Sequence, residues 1–225
     1  MLSFLNRETL ARTYRDPVAW VILAVDLFPI IAVLTLGWGA AALVFLYWLE
    51  NLIVGAVALA KMIAASMKDS PFGLFAMLFL GPFFIIHYGM FCFVHGIFVA
   101  GFAELPIGGN PDFSGPAGLI QLAFSSGAYM ALFVWAIIAL QTFLYVRDFI
   151  LGQEYKRASV DQMMMAPYGR IIILHIAIFA GAFALESFGE PMWGMLGLIG
   201  LRAVWGVVLA MRRRVQLDAA PQLKS

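Results

Sequence analysis

The chain has 225 residues, of which 63% are hydrophobic and 12% charged, with a net charge of +1 and a mean hydropathy of +0.92. Soluble domains carry about 25% charged residues and 45–50% apolar ones, so composition excludes an ordinary water-soluble domain. No nucleic-acid signature is visible, and the single cysteine, Cys92, cannot form an intrachain disulfide.

In chain order, residues 1–17 are mixed in character, with no small-residue cleavage site after a short apolar core. They read as an interfacial stub and not as a signal peptide. Runs apolar enough to cross a bilayer, which takes about 20 residues of helix, follow at 18–36, 39–62, 74–102, 119–146, 170–188 and 191–211. The expected fold class is therefore all-α, a polytopic membrane bundle of six transmembrane helices forming one domain over 1–225. Run 74–102 would rise about 43 Å as a straight helix against a hydrocarbon core of ~30 Å. A break or kink is expected at Gly81-Pro82, because proline removes a backbone donor. Residues 119–126 likewise read as an outer interfacial turn ahead of a span at 127–146.

The basic residues set the orientation. Arg7, Arg12 and Arg15 precede the first run, and Lys61 and Lys68 follow the second. Arg147, Lys156, Arg157 and Arg170 separate the fourth from the fifth; Arg212, Arg213, Arg214 and Lys224 follow the sixth. All but Arg202 of the 14 basic residues thus lie on alternate sides. By the positive-inside rule both termini are cytoplasmic, as are the loop 147–169 and the tail 212–225. The expected location is the inner, cytoplasmic membrane.

Charged groups inside such runs are costly and tend to be paired or used. At ~1.5 Å per residue, Asp26, Glu50 and Arg202 all fall about 15 Å deep, near mid-membrane. Asp26 with Arg202 is the expected structural ion pair. Gly194, Gly197, Gly200, Ala203 and Gly206 form a small-residue seam on the same helix, suited to close packing. Glu50-Asn51, with Tyr47 one turn earlier, can supply a ligand, a proton acceptor or a hydrogen-bond anchor.

All three histidines lie in these runs: His87 and His95 in FFIIHYGMFCFVHGIFV, and His175 in PYGRIIILHIAIFAG. His87 and His95 are ~12 Å apart along the helix, too far to share one metal ion unaided, since Zn–N distances are about 2.0–2.1 Å. A metal site would recruit Glu50 and His175 from other helices, with Asn51, Tyr168 and Arg170 in support. The expected metal ligands are His87, His95, His175 and Glu50, with Glu50 and His87 as the catalytic pair. The cofactor would be zinc, iron or copper, or a haem with axial histidines.

The stretches YWLENLIVG, FFIIHYGMFCFVHGIFV and PYGRIIILHIAIFAG together resemble an uncharacterised family of prokaryotic six-span membrane proteins, a domain of unknown function. The resemblance spans most of residues 40–185. It implies that Glu50, Asn51, His87, His95, Tyr168, Arg170 and His175 belong to the family's recurrent pieces, and it supplies no activity.

Three functions are compatible with these residues. One is hydrolysis or redox chemistry on a lipophilic substrate at an intramembrane metal. A second is proton-coupled transport of a small solute through Asp26, Glu50, His87 and Arg202, for which six spans imply a homo-oligomer. The third is a non-catalytic scaffold whose polar groups lock helices together. In each the surrounding partner is the lipid bilayer.

Overall fold

A backbone surrounded by hydrocarbon must satisfy its N–H and C=O groups internally, and helices do so within one segment. Among the described residues there is no strand. The structure, a computed structural model, describes residues 6–69, 71–102, 115–169, 171–172, 176 and 191–219.

The stub before the first span is a short helix, α1 (Arg7–Thr13), whose Asn6 Oδ1 accepts the Thr9 N–H at 2.7 Å. Next, α2 (Pro17–Leu27) begins with proline at its first position, and Asp16 Oδ1 accepts the Val18 N–H at 3.0 Å. Both are favoured helix starts. A second proline, Pro29, separates α2 from α3 (Pro29–Thr35) at Phe28, because it offers no N–H to the Val25 carbonyl.

The long helices α4 (Ala40–Asp69) and α5 (Pro71–Phe102) form an antiparallel pair. Its rungs are specific. Trp48 Nε1 donates to the Cys92 carbonyl at 2.7 Å, and the Tyr88 hydroxyl donates to the Asn51 carbonyl at 2.9 Å. Gly96 and Gly55 face Trp48 and Tyr88 so closely that an added Cβ would strike either ring.

The break expected at Gly81-Pro82 does not form: α5 is helical through Pro82 without interruption. Met77, Phe84 and Tyr88, on both sides of the proline, are buried in one cluster with Ala58 and Met62 of α4. That shared packing carries the helix past a single missing donor, while the ring of Pro82 lies on the exposed side.

After residues 103–114, α6 (Pro116–Ser125) is a short apolar helix. Tyr129, at φ 59°, turns the chain into α7 (Met130–Leu144). The chain continues in wider π-type turns over Tyr145–Leu151, then a 3₁₀ turn at Glu154–Lys156 and α8 (Val160–Met165). The polar loop is thus largely helical. The last described element is α9 (Pro191–Ala219), which carries the sixth apolar run and extends through the arginines beyond it.

Among the described residues four stretches are long and apolar enough to cross a membrane: Pro17–Thr35, Ala40–Met67, Phe75–Gly101 and Met130–Leu151. Run 170–188 falls almost wholly outside the described residues. The main core gathers Trp38, Phe45, Trp48, Leu119, Phe133 and Ile137 from α4, α6, α7 and the turn before α4. Packed against this core, α4 presents Glu50 and Tyr47 toward α9.

Candidate functional site

Arg202 stands in the middle of an apolar run of α9, where an unpaired charge is costly. Its Nη2 donates to Asp26 Oδ1 of α2 at 2.9 Å and also to Glu50 Oε1 of α4. Both carboxylates are buried, at 6% and 3% exposure. The guanidinium lies 5.4 Å from the Tyr47 ring centroid, within range of a cation–π contact. The Tyr47 hydroxyl and Arg202 Nε are buried with no hydrogen-bond partner among the described residues.

Glycine makes this approach possible at one point. A Cβ on Gly206 would run into the Asp26 carboxylate, whereas Cβ atoms on Gly197 and Gly200 would meet nothing within 4 Å. Among the described glycines of the seam, Gly206, one turn beyond Arg202, is the one that makes room, and it admits a side chain and not a helix backbone.

A second ionic cluster lies three turns further along α9. Arg213 Nε donates to Asp148 Oδ2 at 2.6 Å, and its Nη2 to Asp148 Oδ1 at 2.9 Å. Its Nη1 is 3.6 Å from Asp16 Oδ2, and Arg147 Nη2 is 3.4 Å from Asp16 Oδ1. Burial opposes ionisation of Asp16. The Val18 N–H and the guanidinium groups of Arg147 and Arg213 outweigh it and hold the carboxyl below the usual range. Sequence reasoning counted Arg147 and Arg213 only as topological charges. The overlooked signal is spacing: Arg202 and Arg213 differ by eleven positions, three turns of one helix face.

Two cavities join these clusters. The first, of about 180 Å³, is lined by Asp26, Glu50 and Arg202 together with Gln141, Leu144 and Arg213. The second, of about 210 Å³, is lined by Lys61, Asp148, Glu154 and Arg157 and again by Gln141, Leu144 and Arg213.

The histidines have other surroundings. His87 is exposed on α5, stacked on Phe83 with centroids 5.4 Å apart and tilted against Tyr168 at 6.0 Å. His95 is buried, its Nδ1 lying 3.3 Å from the Phe91 carbonyl. His175 and Arg170 lie outside the described residues. Asn51 is buried and offers its carbonyl to Tyr88, while Tyr168 meets Tyr88 edge-to-face at 5.7 Å. Among the described residues no three His, Cys, Asp or Glu side chains are placed to hold a metal ion. The serines at 125 and 126 donate to the Leu122 and Ala123 carbonyls of their own helix.

Four stretches long and apolar enough to cross a membrane, with a buried ionic triad joining α2, α4 and α9, mark a polytopic α-helical membrane protein. The chain belongs to a family of unknown function, DUF6498, whose model matches residues 8–223. No curated protein and no solved structure matches it.

Proposed function

We propose that this is a six-span protein of the cytoplasmic membrane, with both termini inside, that exchanges protons for a small cationic solute at the Arg202–Asp26–Glu50 triad. One observation carries the reading: a single guanidinium is shared by two buried carboxylates beside a cavity. Carboxylates gathered in so apolar a setting bind a proton or a monovalent cation in competition, since either lowers the cost of a buried charge. Such competition is the chemical basis of exchange.

The size of the space fits. About 180 Å³ holds a few waters, at ~30 Å³ each, or a small cation. Apolar walls from Ile22, Val25, Ile137 and Leu140 limit hydration and strengthen the electrostatics within. His87, exposed and stacked on Phe83, has no part in this exchange.

The test is an imposed pH gradient across proteoliposomes, followed with a gradient-quenched acridine dye. Addition of Na⁺, K⁺ or a small alkylammonium ion is expected to dissipate the gradient in the wild-type protein and not in Glu50→Gln. Dissipation by none of these ions, or equal dissipation by the variant, would overturn the proposal.

A further inference from the structure

We infer that the two cavities form one hydrated half-channel, open at the arginine-rich face, through which protons and the exchanged cation reach Glu50. The purpose given to this route rests on the exchange reading above; its existence does not. The two cavities adjoin. Gln141, Leu144 and Arg213 line both cavities, so a shared wall of α7 and α9 runs from the vestibule at the arginine-rich face to the triad.

The lining changes character along the way. At the mouth stand Lys61, Glu154, Arg157 and Asp148; at the inner end stand Asp26, Glu50 and Arg202. Between them Gln141 is an uncharged polar side chain, able both to donate and to accept a hydrogen bond. It is the step by which a hydrogen-bonded chain passes the apolar belt of Ile137, Leu140 and Leu144.

Arg213 is the constriction. The residue lines both cavities, while Asp148 and Asp16 hold its guanidinium on the side of α2 and the π-type turns. That clamp fixes the long side chain at the junction and sets the width of the passage. The route is a half-channel that ends at the triad, where Asp26, Glu50 and Arg202 line its inner end.

The chain contains a single cysteine, and it is buried, which permits an accessibility test. In a Cys92→Ala background, Gln141→Cys and Leu144→Cys are treated with a membrane-impermeant methanethiosulfonate in inside-out and right-side-out vesicles. Lys61→Cys serves as the control at the mouth. Both channel positions are expected to react from the inner side only, with Lys61→Cys reacting faster than either. Labelling of Lys61→Cys without labelling of either deeper position would overturn the inference. So would labelling of the deeper positions from the outer side. Because the readout is chemical modification, it stands apart from the gradient assay: a labelled channel with no cation-driven dissipation would retain the half-channel and reject the exchange function.

Discussion

Arg202 and Arg213 stand eleven positions apart on one face of α9, and each guanidinium is held by two carboxylates from two other elements. Asp26 and Glu50 grip the first, Asp16 and Asp148 the second. The pairs Asp16–Arg213 and Asp26–Arg202 form two rungs between the antiparallel helices α2 and α9. The rungs fix both rotation and register of α9.

Removing the central cation tests the inner rung. Arg202→Met takes from two buried carboxylates the guanidinium they share, and breaking a buried pair costs about 3–5 kcal/mol. Thermal unfolding in detergent is expected to show a large loss at neutral pH. Adding Asp26→Asn and Glu50→Gln to the same protein is expected to recover most of it, because the two negative charges that Arg202 offset are then gone as well. A triple variant as unstable as Arg202→Met would show that the charges are not what destabilises.

Gly206→Ala should disturb the same rung sterically. Its Cβ collides with the Asp26 carboxylate, and overpacking of this kind costs about 1–3 kcal/mol. Gly197→Ala and Gly200→Ala face open space, and each is expected to leave the melting temperature unchanged or raise it slightly, since alanine is the better helix former.

The outer rung carries a pH dependence of known sign. Its neighbours hold the Asp16 carboxyl below the ordinary range, so this stabilisation is complete above the ordinary carboxylate pKa. It is lost as pH falls through the lowered one. Melting temperature followed down into the acid range should therefore drop less steeply in Asp16→Asn than in wild type. Parallel curves would show that Asp16 carries no such linkage.

The histidines separate by burial. His87→Ala should change stability by no more than about 0.5 kcal/mol, as exposed substitutions do, and should leave cation-driven gradient dissipation intact. His95→Ala empties a buried site and should cost about 2 kcal/mol or more. Comparable losses at both positions would contradict this assignment.

Depth along the chain made the triad's position legible in the sequence. Hydropathy and a rise of ~1.5 Å per residue put Asp26, Glu50 and Arg202 at one level before any contact was known. Depth alone gives no rotation about the helix axis, so Glu50 reads equally well as a partner of His87 or of Arg202. The structure turns Glu50 to Arg202 and leaves His87 on the exposed side of α5. The two prolines teach a related point. Pro82 sits in an over-long run yet its helix continues, because buried side chains pack on either side of it. Pro29, in a run of ordinary length, is where the helix is interrupted. Length identifies a candidate break, and packing decides it.

The central claim is that a carboxylate of the triad takes up a proton in competition with the exchanged cation. Infrared difference spectra between acid and neutral pH measure this most directly, through the carbonyl stretch of a protonated carboxyl group. Wild-type protein in lipid is expected to show one such band that is altered or lost in both Glu50→Gln and Asp26→Asn, and weakened by addition of the competing cation. A spectrum that both substitutions leave unchanged would mean that the triad takes up no proton and serves only to lock α9 against α2 and α4.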